Sequence, residues 1–258
     1  MNQENYFTKE IDAWQEVRLG KFTASGIHAI LTASRTKGEA FGGTAMTYIK
    51  KKVAEIITGE KPEINAKQLE WGIANEQDAV REYVARTGAK NVQYFGIATP
   101  KYFELSETAG GSPDGLVGDE GLLEVKCPWD SAVHVQNLLN KTAEDLKKNA
   151  ADYYTQDQFN MHILNRKWCD HISYDPRVAS WQHRLKVIRI DRDEDHIKII
   201  LERLELAQDK VREILADLGL AEAKKIIAAP VPEAAEPAKQ YKKPASKAPT
   251  ELPDFLKV

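Results

Sequence analysis

"GGSPDGLVGDEGLLEVKCPW", residues 110–129, carries the pattern that decides the fold. Glycines on one side and Pro128 on the other bound the short run "GLLEVKC", which reads as a strand. Successive side chains of a strand point to opposite faces. Glu124 and Lys126 therefore share one face, and Leu123, Val125 and Cys127 share the other. The second set is apolar and belongs against a core. An ion pair on a half-exposed strand is the simplest account of Glu124 and Lys126. Two features argue for more. The Ser-Pro-Asp-Gly before the strand reads as a turn that brings Asp114 near the same strand end. The second is an acid in an odd place upstream.

That acid is Glu76. The segment "AKQLEWGIANEQDAVREYVARTG" has helical periodicity and stops at Gly88. Its apolar stripe is Leu69, Ile73, Val80, Tyr83 and Val84, and Glu76 falls inside it. A carboxylate on the core side needs a partner. A cation shared with Asp114 and Glu124 would supply one. Hard oxygen ligands of this kind suit Mg²⁺ or Mn²⁺. Such an ion on a phosphate, beside Lys126, is a recipe for metal-assisted phosphodiester hydrolysis.

Around this centre the chain alternates helices and strands. "GTAMTYIKKKVAEIITG" reads as a helix with Thr44 as cap, Gly59 as stop and Lys50, Lys51 and Lys52 on a solvated face. "VQYFGIATP", "KYFEL", "WCDHISYDP" and "RLKVIRID" read as strands, and "DYYTQDQFNMHILN" as a helix. A long helix over "DRDEDHIKIILERLELAQDKVREILADLG" presents Ile197, Ile200, Leu201, Leu204, Val211, Ile214, Leu215 and Leu218 as one stripe, and Gly219 can end it. The expected fold is α/β, a central mixed sheet flanked by helices with a C-terminal helix. Six of the 11 prolines lie beyond Ala229. Residues 1–227 are therefore expected to form one domain, and 228–258 a flexible Pro/Ala/Lys-rich tail. The tail closes on "ELPDFLKV", whose Leu252, Phe255 and Leu256 could serve as a docking motif or be a stray hydrophobic end.

Composition narrows the classes. The chain has 258 residues, 42% hydrophobic and 29% charged, enough to bury a core. Its apolar runs are too short to span a bilayer, and its polar, acidic start is unlike a signal peptide. Cys127 and Cys169 stand in no metal-like spacing, which suits a reduced cytoplasm and speaks against a four-cysteine iron–sulfur nuclease. The six histidines are scattered, and His134 and His162 read as packing or surface residues. A net charge of −3 gives no global field for nucleic acid, so any DNA surface must be local.

Asp114, Glu124 ten residues on, and Lys126 resemble the PD-(D/E)xK nuclease signature. More closely, six ordered segments resemble the phage lambda-type alkaline exonuclease (YqaJ-like viral recombinase) family. They are "RLGKFTAS" (18–25), "EWGIANEQDA" (70–79), "SPDG" (112–115), "LEVKCP" (123–128), "YYTQDQ" (153–158) and "YDPR" (174–177). The resemblance implies a Mg²⁺-dependent 5′→3′ exonuclease that degrades one strand of linear duplex DNA and leaves 3′ overhangs. It implies a single-strand annealing protein as partner in phage recombination, a homotrimeric ring around DNA, and the host cytoplasm. By position it makes Asp114, Glu124 and the Val125 carbonyl metal ligands and Lys126 the catalytic lysine. Glu76 and Gln156 complete the catalytic set, with Tyr153 beside it. Arg18, Ser25 and Ser112 form the pocket for the 5′-phosphate.

Unaided, several of these residues allow plainer readings. Arg18 suits an ordinary surface position and Ser25 a helix cap; Tyr153, Gln156 and Asn160 share a helical face that suits solvent as well as a site. Glu104 and Glu107 are both candidates for a further acid, as a second-metal ligand or a loop charge. An endonuclease on the same fold and a non-catalytic DNA-end binder are the alternatives. The Arg18, Ser25 and Ser112 set disfavours the first, and an intact Asp114, Glu124 and Lys126 the second.

Overall fold

The computed structural model describes residues 3–60, 66–96 and 99–220. In chain order its elements are α1 (Gln3–Arg18), β1 (Phe22–Thr23), a 3₁₀ turn (Ile27–Leu31), α2 (Gly43–Thr58), α3 (Ala66–Thr87), β2 (Val92–Tyr94), β3 (Phe103–Ser106), β4 (Ala109–Gly111) and β5 (Gly115–Val117). There follow β6 (Gly121–Lys126), α4 (Ser131–Leu139), α5 (Ala143–Asn149), α6 (Ala151–Ile163), β7 (Trp168–Tyr174), α7 (Trp181–Arg184), β8 (Leu185–Asp191) and α8 (Glu194–Asp217). The proposed tail, 228–258, and its terminal apolar cluster lie outside the described residues. Among the described residues no helix is long and apolar enough to cross a membrane.

The Glu-x-Lys strand, β6, is the central strand of a five-stranded mixed sheet ordered β2-β5-β6-β7-β8. It runs antiparallel to β5 and parallel to β7. A parallel neighbour requires a crossover, and α4, α5 and α6 form it. The crossover covers one face of β6, where Leu122 packs with Leu146, Tyr154 and Met161. Helix α3 covers the other, where Ala79, Val80 and Tyr83 meet Leu123, Val125 and Ile172. The strand is thus buried on both sides rather than half exposed, and Glu124 is only 2% accessible. A second sheet, β1-β4-β3, lies alongside. Its glycines are tight: a Cβ on Gly111 would stand 2.2 Å from Asn160 Oδ1 on α6.

The third cluster joins the 3₁₀ turn and α2 to α8, through Ile27, Ile30, Ala45, Ile49, Ile200, Leu204 and Leu215. The α8 stripe is as expected except at its end. Leu218 caps the helix beyond the last packed turn and is exposed.

Two expectations for α2 fail. Its cap is Gly42, not Thr44: the Gly42 carbonyl accepts from Met46, and a Cβ there would stand 2.5 Å from the Ala33 carbonyl oxygen. Lys52 is not solvated. It is buried and donates to both oxygens of Glu55, at 2.8 and 2.9 Å, while Glu55 also accepts the Gly20 N–H. This network ties α2 to the turn just after Arg18. Gly59 and Gly88 end α2 and α3 as read, with φ of 69° and 67° in the left-handed region.

Candidate active site

Pleat, turn and helix bring the sequence-derived residues to one cavity of about 490 Å³. Glu76, Asp114, Glu124, Val125, Lys126, Tyr153 and Gln156 line it, and so do Arg18, Ser25 and Ser112. Glu104 and Glu107 do not. Glu104 points to Lys21 across 2.5 Å, and Glu107 is exposed in the β3–β4 turn.

Asp114 sits in the turn entering β5, and its Oδ2 accepts the Val125 N–H at 2.7 Å. The turn is itself anchored, because the Asp114 carbonyl accepts the Phe95 N–H. Glu124 projects from β6 towards α6. Its Oε1 accepts Lys126 Nζ at 2.8 Å and the Gln156 amide, and its Oε2 accepts Asn160 Nδ2 at 3.4 Å. Gln156 also accepts from Lys126 Nζ at 3.2 Å, so one amide orients both charged groups. The Lys126 ammonium lies 4.9 Å from the Tyr153 ring centre. Glu76, buried as its place in the stripe required, accepts the Tyr94 hydroxyl at 2.8 Å. The polar face of α6 is therefore no solvated face: Gln156 is 7% and Asn160 1% accessible.

The charges do not balance. Fully ionised, the three carboxylates Glu76, Asp114 and Glu124 would set three negative charges against the one ammonium of Lys126 in the same cavity. Burial, then Glu124 and then Glu76 push Asp114 well above the usual carboxylate range. Burial pushes Glu124 up as well, against the pull of Lys126. Burial alone would push Lys126 down, but Glu124 and Asp114 outweigh it and hold the ammonium above its ordinary value. Both partners of the Glu124–Lys126 pair thus move up, because desolvation dominates at the acid and acid crowding dominates at the amine.

This donor set fits a hard divalent cation: its donors are oxygens, and with all three carboxylates ionised its excess of negative charge would match the ion. Among the described residues no three side chains converge as a ready-made metal cage. Val125, Gln156, Lys126, Asn160 and Tyr94 donate to these carboxylate oxygens.

The second part of the cavity is cationic. Arg18 Nη2 donates to Ser25 Oγ at 3.1 Å, and the guanidinium lies 3.8 Å from the Trp14 ring centre. Trp14 Nε1 in turn donates to Ser112 Oγ at 2.9 Å. Arg18 and both serines thus form one group, and Ser25 is not a helix cap, a place taken by Gly26. Burial lowers the Arg18 pKa, so an anion beside it would offset the cost of its desolvation.

Three features escaped the sequence reading. Trp14 stands four residues before Arg18, a helical spacing that would have been visible had α1 been read as a helix. Trp129 and Val133 also line the cavity. Behind Glu124, Asp157 Oδ2 meets His171 Nδ1 at 2.9 Å, with both side chains buried, and His171 is the register partner of Glu124 on β7. His134 is packing, as read: it is buried between Ser173 and the His183 carbonyl.

The sequence profile of the YqaJ-like viral recombinase domain matches residues 13–167. Among solved structures, the chain is similar to an alkaline exonuclease from Laribacter hongkongensis, LHK-Exo. The two are 29% identical over 83% of this chain and 99% of that one, with a TM-score of 0.64. The same enzyme in complex with dAMP matches at 28% identity and the same coverage, with a TM-score of 0.65. A phage-related exonuclease from Haemophilus somnus 129PT shares the fold at 18% identity, over 77% of this chain and 96% of that one, with a TM-score of 0.61. No curated protein sequence matches the chain.

Proposed function

Because the chain belongs to the YqaJ-like viral recombinase domain family, we propose that it is a metal-dependent exonuclease acting on linear duplex DNA. It removes nucleotides 5′→3′ from one strand and leaves 3′ overhangs for recombination with a single-strand annealing protein, working as a homotrimer. One observation carries this reading: the cluster of Glu76, Asp114, Glu124, Lys126 and Gln156 shares a single cavity with the Arg18–Ser25–Ser112 group. The similarity to alkaline exonucleases supports the same reaction.

Asp114, Glu124 and the Val125 carbonyl would hold Mg²⁺, or Mn²⁺ in its place, with Glu76 beside them. When bound, the ion polarises the phosphodiester and makes a water acidic enough to attack it near neutral pH. The remaining work falls to side chains. Arg18 grips the 5′-phosphate, helped by the two serine hydroxyls. Lys126, beside Glu124, would orient the attacking hydroxide or offset charge that builds on the scissile phosphoryl oxygens. Gln156 keeps Lys126 and Glu124 in place. Water adds to phosphorus, the bond from phosphorus to the 3′-oxygen breaks, and that oxygen takes up a proton. The shortened strand again ends in a 5′-phosphate, so the Arg18 pocket is offered the same group at every cycle.

The test is linear duplex labelled at one 5′-phosphorylated end, incubated with the protein and Mg²⁺ beside a closed circle. Loss of label as mononucleotide, with the circle spared, is expected. A nicked circle would make the protein an endonuclease, and two intact DNAs would make it a binder.

A further inference from the structure

The cavity has an aromatic edge that the reaction above does not use. Trp129 follows β6 by three residues and lines the cavity, yet it is 49% accessible. It meets Trp71 of α3 edge to face, with ring centres 5.6 Å apart and planes at 87°. The Arg177 guanidinium lies 4.3 Å from the Trp71 ring centre. In an edge-to-face pair, one ring presents only its edge. Either Trp129 does so and keeps both faces, or it yields one face to Trp71 and keeps the other. In both cases at least one Trp129 face is left uncovered by Trp71.

The mount is rigid. Arg177 donates to the Trp129 carbonyl at 3.0 Å and the Pro128 carbonyl at 3.1 Å, while Asp175 holds the same guanidinium through Nε at 2.8 Å and Nη2 at 2.9 Å. Asp175 is itself fixed by the Ser131 hydroxyl at 2.7 Å, and its carboxyl is lowered to about 2. A large, half-open indole on an anchored backbone, on the wall of a cavity with an anion-binding group, is suited to a flat aromatic guest joined to a phosphate. These bonds fix the Pro128–Trp129 backbone that carries the indole, and Trp71 meets the indole itself.

We propose that Trp129 is the stacking shelf for the 5′-terminal nucleobase, with Trp71 and Arg177 as its positioning residues. This rests on the nuclease reading for its choice of nucleotide. The 5′-phosphate of that nucleotide lies at Arg18, its 3′-phosphodiester at Lys126, and its base on Trp129. Because every base offers a π-face, the shelf is indifferent to sequence. It requires a base to be present.

Two arms test it. In the first, kcat/KM is measured on 5′-phosphorylated duplexes whose terminal nucleotide is either normal or abasic. Base stacking on an aromatic side chain is worth roughly 5- to 150-fold, so wild type should prefer the normal end by about that factor. Trp129→Leu should slow the normal end to the abasic rate, collapsing the preference to about one, while Trp129→Phe keeps most of it. In the second arm, a duplex with terminal 2-aminopurine is bound in Ca²⁺. Its fluorescence should be quenched by wild type and by Trp129→Phe, and not by Trp129→Leu.

Equal rates on both ends in wild type, or an undiminished preference in Trp129→Leu, overturns the shelf and leaves the nuclease standing. Quenching by a wild-type protein that degrades nothing overturns the nuclease and leaves the shelf. A Trp129→Leu variant that changes oligomeric state and keeps its quenching assigns the indole to a second copy of the chain.

Discussion

Replacing Asp114 by asparagine should make the metal-free protein more stable and the enzyme nearly dead. Asparagine has the same shape, and its Oδ1 can still accept the Val125 N–H that Asp114 Oδ2 accepts at 2.7 Å. What changes is charge: Asp114 brings a negative charge to the cluster when ionised, and asparagine brings none. The direction of the stability change follows from linkage. Asp114 has a folded pKa raised well above 3.8. The native state therefore binds more protons than the unfolded state between those two values, and stability falls as pH rises through that window. Above the raised value the penalty is complete. In EDTA near neutral pH, Asp114→Asn should therefore unfold at a higher temperature than wild type, and its stability should fall less steeply above pH 4.

Mg²⁺ should reverse the order. At 100 times its dissociation constant a ligand adds about 2.7 kcal/mol, which is roughly 5–11 °C for a domain of this size. The variant, lacking a ligand, should show little of that rise. Metal stabilisation of transition-state charge is worth several kcal/mol, so activity should drop at least about 100-fold. Differential scanning fluorimetry with and without Mg²⁺, from pH 4 to 9, beside a duplex-degradation assay, reads all of these quantities. An equal Mg²⁺ shift in both proteins, or a metal-free variant less stable than wild type, would refute the reasoning.

Three further substitutions probe other parts of the site. Lys126→Ala should abolish single-turnover degradation, by about 10²–10³-fold or more, while circular dichroism shows the fold retained; a wild-type rate would remove the lysine from the chemistry. Arg18→Ala should cut the preference for 5′-phosphate over 5′-hydroxyl ends by about 10- to 150-fold, the worth of a charged hydrogen bond, and an unchanged ratio would displace the pocket. Gly111→Ala forces a methyl to within 2.2 Å of Asn160 Oδ1 and should cost about 1–3 kcal/mol in urea unfolding. Adding Asn160→Ala should return part of that loss, and strict additivity would show that the two do not meet.

The strand that decides the fold was legible because alternation, a turn and a proline act over a few residues. Glu76 was legible as a misfit in an otherwise apolar stripe, and the long α8 as a stripe of its own. Helix α1 escaped because "QENYFTKEIDAWQEVR" has too few apolar residues to show a period, and with it escaped Trp14. Helix α6 misled in the other direction. Its Gln156 and Asn160 suited solvent as well as a site, yet both are buried, because Glu124 waits opposite them. Polarity along a helix does not distinguish water from a buried charge. Lys52 repeats the lesson, with Glu55, which also accepts the Gly20 N–H, as its hidden partner. Thr44 is not the cap because α2 already starts at Gly43, after Gly42, where the Ala33 carbonyl leaves no room for a Cβ, a contact local sequence cannot foresee.

The bonds that join the site span long reaches of chain. Trp14 reaches Ser112 across 98 residues, and Gln156 reaches Glu124 across 32. Contacts of such separation form late, because loop closure must precede them. A nascent chain that has emerged as far as β6 carries Asp114, Glu124 and Lys126 but no α6 to hold them. Cutting power should therefore appear only with the docking of α6 and the β6–β7 pairing that follows it in the chain, so that the half-made protein is harmless to the DNA around it.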